Sequence, residues 1–156
     1  MSEILQLLAS PVHRYEGRPA DGPAPAPAGE LVEEIEIRAG MGVVGDRYFG
    51  QRAHREAAVT LIASEGLPAE ADLVQTRRNV LLRGVPVDDM VGRRLALDSG
   101  SGTVLLDVLR PARPCAWMDA TIGPGARAAL LGKGGVRCMP LTDGRLRVGP
   151  VRYQLT

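Results

Sequence analysis

Apolar and polar positions along the chain predict many short strands and few helices. Ile4 to Leu8 reads as a first strand, and Leu31 to Arg38 ends as Ile35-Glu36-Ile37-Arg38, the two-residue period of a strand with one buried face. Ala57 to Ile62, Asn79 to Leu82, Arg93 to Leu97 and Thr103 to Leu109 follow as strands. Ser99-Gly100-Ser101-Gly102 joins the last two as a hairpin connection. Val136 to Leu141, a turn at Asp143-Gly144, Leu146 to Val148 and Val151 to Leu155 close the chain as a meander. Helical signals are weaker. Ser64 caps a short helix reaching about Glu70, Val85 to Met90 suits a turn or one helical turn, and Pro124 to Leu131 has Pro near its start and Gly132 past its end. The stretch carrying Cys115 and Trp117, after Pro111 and Pro114, reads as a loop. These elements predict a mainly β protein, barrel or sandwich, with a few short helices.

Composition sharpens this picture. The chain has 156 residues, 19 of them Gly and 12 Pro, which fits one turn-rich domain over 1–156. Residues 17–29 concentrate Pro and Ala around Pro23-Ala24-Pro25-Ala26-Pro27, an extended and mobile surface excursion. Nineteen basic residues against 18 acidic ones argue against a nucleic-acid binder or a membrane-surface protein, and one Trp, three Tyr and one Phe leave little on which bases could stack. No apolar run approaches the roughly 18 residues that span a bilayer, and the N-terminus lacks a signal-peptide pattern, so a cytoplasmic location is expected. Two cysteines 23 positions apart make neither a disulfide framework nor a zinc pair. The basic side is 18 Arg and a single Lys, Lys133, which favours bidentate recognition of phosphate or carboxylate over amine chemistry.

Three clusters carry candidate chemistry. Arg113-Pro114-Cys115-Ala116-Trp117 places a thiol after a strand, with Arg113 two residues away; Lys133 or the helix start near Pro124 offers further positive potential. Two readings of Cys115 stay open, a functional thiolate and a small buried hydrophobe. Cys138, inside Val136-Arg137-Cys138-Met139, reads as buried and without a role. Gly45-Asp46-Arg47-Tyr48-Phe49-Gly50, with Arg52, His54 and Arg55, is a candidate anion cradle, though Arg52 and His54 read individually as solvated and Asp46-Arg47 also suits a local ion pair. His13 reads as a structural or hydrogen-bonding residue. In Arg77-Arg78-Asn79-Val80, Arg78 and Asn79 offer paired donors and an amide to a polar ligand, whereas Arg77 reads as solvated. The start of the Pro124 helix adds a weak, generic anion site. Walker A, GxGxxG, HExxH and GxSxG motifs are absent.

Taken in order, these pieces resemble the MOSC domain, named for the C-terminal part of molybdenum cofactor sulfurases. The resemblance runs through Ser10-Pro11-Val12-His13, Gly45-Asp46-Arg47, Ala58 to Ile62, Arg78-Asn79-Val80 with Leu82-Arg83-Gly84, Val91-Gly92-Arg93-Arg94-Leu95, Arg113-Pro114-Cys115, Gly135-Val136 and Val148-Gly149. It implies a MOSC-type β-barrel that binds molybdenum cofactor or a related anionic ligand. Cys115 would be a persulfide-carrying thiol or a ligand to molybdenum, and Arg47, Arg78 and Asn79, with Arg113 beside the cysteine, would bind the cofactor. Many relatives have His where this chain has Tyr48. With one lysine, between Gly132 and Gly134, a Schiff base with pyridoxal phosphate is not expected, although that cofactor accompanies full-length sulfurases. Reduction of N-hydroxylated compounds would draw electrons from separate proteins, and sulfur transfer would use a separate sulfurase. The contrasting reading is a non-catalytic module for a small anion, with Cys115 buried and inert.

Overall fold

The computed structural model describes residues 1–156 as twelve strands and three short α-helices. The strands are β1 (Glu3–Leu8), β2 (Leu31–Val32), β3 (Glu34–Arg38), β4 (Gly42–Val43), β5 (Val59–Ala63), β6 (Val80–Arg83), β7 (Arg94–Asp98), β8 (Thr103–Pro111), β9 (Val136–Pro140), β10 (Gly144–Arg147), β11 (Gly149–Pro150) and β12 (Arg152–Leu155). The helices are α1 (Leu73–Thr76), α2 (Ala116–Thr121) and α3 (Ala126–Ala129). A nine-stranded sheet runs β11-β1-β6-β5-β9-β8-β7-β12, with β2 also on β1, and a three-stranded sheet runs β10-β3-β4. Only β5 and β6 pair in parallel, so the 64–79 segment between them is a crossover.

Alternation explains the packing. Ile35 and Ile37 of β3, Val43 and Leu146 are buried with Ile4, Leu61, Leu82, Leu97 and Leu106 of the large sheet, so both sheets share one core cluster. Each such side chain contributes about 1.5–3 kcal/mol by leaving water.

The mainly β expectation holds, but no ladder closes a barrel. The sheet's two edges, β11 and β12, are separated along the chain by Val151 alone. The Val151 N–H donates to the Ser2 carbonyl at 3.1 Å and its side chain is buried, so the chain leaves β1 there and resumes beside β7.

Helices differ most from expectation. Ser64 starts only a single 3-10 turn, Ser64–Gly66; the helix begins later, where Asp72 and Gln75 form a reciprocal capping box around α1. The Cys115–Trp117 stretch is not a loop: Trp117 and Met118 of α2 pack against Ala126 and Leu130, which draws Ala116–Thr121 into a helix. The Pro124–Leu131 helix contracts to α3. The 17–29 excursion is pinned at Ala24, whose N–H donates to the Arg14 carbonyl and whose carbonyl accepts from Arg14 Nε, both at 2.8 Å. No helix is long and apolar enough to cross a membrane.

Candidate functional site

The pocket lies over the outer face of the large sheet. On β9, Val136 and Cys138 point into the core, so strand alternation sends Arg137 to the opposite face. Thr60 of β5 sits opposite it in register. Over this floor stand the 13–15 and 47–48 segments, the 3-10 turns of Arg52–Ala57 and the first turn of α2. They enclose about 290 Å³ lined by both histidines of the chain, six arginines, Cys115 and no carboxylate.

The six guanidiniums fall into two groups. Arg47 and Arg77 are neutralised: Arg47 Nη1 donates to Asp46 Oδ1 at 3.0 Å, and Arg77 Nη1 to Glu30 Oε1 at 2.6 Å, all four side chains being at most 6% exposed. Asp46 also accepts the Ser10 N–H at 3.1 Å, while Ser10 accepts the Arg47 N–H at 2.8 Å, which ties the early Ser-Pro segment to the Gly-Asp-Arg loop. Arg14, Arg78, Arg113 and Arg137 have no carboxylate partner. Arg78 is held by carbonyls alone: Nε to Gly134 at 3.0 Å, Nη1 to Thr76 at 3.0 Å and Nη2 to Ala112 at 3.3 Å. Burial lowers its pKa to about 10; the Arg137 charge pushes the same way, and the nearby Cys115 and Tyr48 groups oppose it. A buried cation without a counterion is costly, and an anionic ligand relieves that cost.

Tyr48 is the aromatic hub of one wall. The Arg47 guanidinium lies 4.6 Å from its ring centroid, His54 lies tilted by 48° at 4.6 Å and His13 meets it edge-on at 5.3 Å. Across the pocket Tyr15 stacks on Trp117 at 4.9 Å with the planes 8° apart. Its hydroxyl donates to the Gln75 carbonyl, and burial raises its pKa. Cys115 immediately precedes α2 and is exposed, whereas Cys138 is buried and burial pushes its thiol far above the usual range.

Of the sequence-predicted site residues, Cys115, Arg47, Arg78 and Arg113 come together in this pocket. Asn79 does not line it. Its Oδ1 accepts from the Thr60 N–H at 3.0 Å and the Thr60 hydroxyl at 3.1 Å, and its Nδ2 donates to the Leu8 carbonyl at 3.1 Å, so both ends of the amide are used in joining β1, β5 and β6. Lys133 lies in a different depression beside Glu65 and Asp88, not near the thiol. The Pro124 helix start offers no free anion site either, because the Arg127 N–H donates to Asp119 at 2.8 Å. Arg52 and Arg55 are exposed, outside the lining, but His54 is part of it. Cys115 is exposed, so a buried cysteine describes Cys138 and not Cys115.

Arg77 and Arg137 were missed. Arg77, expected in solvent, is turned inward by a left-handed backbone (φ 60°) at the end of α1. For Arg137 a signal existed: a charged residue alternating with buried ones on a central strand faces whatever covers that sheet.

No family model matches the chain, and no curated protein matches it in sequence. Among solved structures it is similar to the YUAD protein from Bacillus subtilis, with TM-score 0.62 and 14% identity over 100% of this chain and 97% of that one. It is also similar to YiiM from Geobacillus stearothermophilus, with TM-score 0.61 and 17% identity over 99% of this chain and 75% of that one. YiiM from Escherichia coli gives TM-score 0.58 and 15% identity over 97% of this chain and 69% of that one. At such identities the likeness shows a shared fold.

Proposed function

We propose that this chain is a MOSC-type domain whose pocket binds molybdenum cofactor, with guanidiniums holding the anionic group and Cys115 giving its sulfur to the metal. The observation that carries the reading is an exposed thiol in the same pocket as four guanidiniums without carboxylate partners. The ordered motifs from Ser10 to Gly149 support it, and the fold shared with YiiM from two species is compatible with it. The residues fit such a group. No three His, Cys, Asp or Glu side chains converge, so a metal must arrive with ligands of its own, to which one soft thiolate is added. Arg78 and Arg137 bind its anionic part, while Tyr48 and the Tyr15–Trp117 stack confine it and exclude water. When bound, the cofactor would supply two-electron redox chemistry at the metal. Reduction of N-hydroxylated compounds, with electrons from separate proteins, is the reaction class that the family resemblance implies. Co-expression in a molybdenum-replete host and assay of the purified protein for metal and pterin tests this. Both are expected in the wild type, with metal lost in Cys115→Ser; a wild-type protein empty of both overturns the reading.

The second reading is a persulfide carrier. It is favoured by the burial of Cys138, which leaves a sulfur atom on Cys115 with no accessible thiol in the same chain to attack it. A reducible adduct of roughly 32 Da on Cys115 is its signature.

A further inference from the structure

We infer that Cys115 is charged with sulfur directly by a tetrahedral sulfur oxyanion of the thiosulfate type, seated on Arg78, Arg113 and Arg137. The inference rests on the carrier reading and names the donor class for that site.

Hydrogen-bond accounting identifies the seat. A guanidinium has five N–H groups. Arg78 uses one on each nitrogen for the Gly134, Thr76 and Ala112 carbonyls, which leaves one on each terminal nitrogen while fixing the plane of the head group. Arg113 and Arg137 line the same pocket and have no carboxylate within ion-pair distance. Arg77, on the same wall, has a buried Nε–H without an acceptor. Arg47 and Arg77 are already neutralised, so the charge available to a ligand belongs to the other arginines.

Charge then selects the chemistry. A thiolate and a dianion repel each other strongly in a site of reduced dielectric, and a pocket that must bring them together needs positive charge in excess of one. Uncompensated guanidiniums beside an exposed thiol provide it. In the step, the Cys115 thiolate attacks the outer sulfur of thiosulfate, a Cys115 S–S bond forms, and the donor's S–S bond breaks. Its electron pair leaves with sulfite: Cys115–S⁻ + S2O3²⁻ gives Cys115–S–S⁻ + SO3²⁻. Atoms and charge balance with no external oxidant. Sulfite keeps both negative charges on the oxygens that the arginines hold, so the seat that binds the donor also stabilises the leaving group. The chain's one lysine, Lys133, lies in another depression, so a lysine-held pyridoxal phosphate Schiff base beside Cys115 is not the sulfur source.

The test uses the reduced full-length chain with sodium thiosulfate, reading sulfite release, the mass of the Cys115 peptide and thiocyanate after adding cyanide. One sulfite per chain, a cyanide-removable adduct of roughly 32 Da on Cys115 and competitive inhibition by sulfate are expected. Arg137→Gln should raise the half-saturating thiosulfate concentration at least about tenfold, a larger effect than the slowing of Cys115 alkylation by neutral iodoacetamide that follows from losing one nearby positive charge. Sulfate competition, read on the wild type, decides the seat even where the variant folds poorly, and absence of competition overturns it. Loading of Cys115 by inorganic polysulfide but not by thiosulfate overturns this inference and leaves the carrier reading standing. Failure with both donors overturns the carrier reading as well.

Discussion

Nη2 of Arg47 donates to the carbonyl oxygen of Arg77 at 3.1 Å, so the backbone of one arginine carries the head group of another. Arg77 is the chain's only non-glycine residue with positive φ, and this conformation turns its side chain onto Glu30 and the Val12 carbonyl. Arg77→Ala should cost about 3–5 kcal/mol, because it strands a buried carboxylate. Arg77→Gly loses the same pair without the left-handed strain and should be about 1 kcal/mol more stable than Arg77→Ala. Arg77→Met combined with Glu30→Leu should recover most of the loss. Urea midpoints of the four proteins check the order.

Asn79 separates stability from binding. Asn79→Leu keeps the branched heavy-atom skeleton but leaves the Thr60 N–H and the Leu8 carbonyl without the amide, at a cost of roughly 2–4 kcal/mol. Since the side chain does not line the pocket, cofactor or sulfate affinity of the folded fraction should stay within about twofold of wild type, a change of under half a kcal/mol. A large loss of affinity at full folding would place Asn79 in the site after all.

Gly134 and Gly135 form the crosspiece between Arg78 and the Cys115 segment. The Gly134 carbonyl receives Arg78 Nε; the Gly135 N–H donates to Asp88 at 2.9 Å, and its carbonyl accepts from Ala112 at 2.8 Å. A Cβ on Gly134 would run into the Ala112 carbonyl and the Pro114 ring, and one on Gly135 into the Leu61 carbonyl. Gly134→Ala should therefore cost about 1–3 kcal/mol and also weaken anion binding, by displacing Arg78 and Pro114 together. Gly66→Ala, which meets only the flexible Lys133 side chain, serves as the control that leaves binding intact.

The parts of this molecule legible in the sequence are those set by local pattern. Ile35-Glu36-Ile37-Arg38 announces β3 because alternate side chains meet core and water, and Cys115 announces itself by chemistry. Helix α2 was not legible, since Ala116 to Thr121 becomes helical through Trp117 and Met118 packing on Ala126 and Leu130, a contact between segments. The fate of each arginine is likewise tertiary. Arg47, Arg77 and Arg78 look alike in sequence, and only the distant Glu30, Asp46 beside a buried Ser10, and the Gly134 carbonyl decide which are neutralised. Asn79 misled because an amide at a strand entrance suits a ligand and a buried Thr60 equally well.

The two thiols should differ in reactivity by environment. Iodoacetamide at neutral pH should modify one cysteine per native chain, at Cys115, and two after denaturation, because Cys138 is buried and its thiolate is disfavoured. Peptide mapping identifies the site, and Cys115→Ser should reduce the native count to zero. Sulfate should slow the native reaction if the anion sits beside the thiol, which makes the same assay a measure of occupancy.

Arg78 sets the alkaline limit of anion binding. Folding moves this guanidinium into a carbonyl-lined, carboxylate-free position where burial lowers its pKa from the usual 12.5 to about 10. For a base, a lowered folded pKa means that the charged form opposes folding at neutral pH and that this opposition fades as pH rises through 10. A bound anion favours the charged form and lifts the pKa back, so binding and protonation reinforce each other. The rise in Tm produced by sulfate should therefore be steady from pH 7 to about 9 and shrink as pH passes 10, before ordinary arginines lose charge. Arg78→Lys should lose much of the effect even at pH 7, because an ammonium cannot reach the Gly134, Thr76 and Ala112 carbonyls together with a ligand. A sulfate effect that stays flat from pH 7 to 11 would show that Arg78 does not carry the anion.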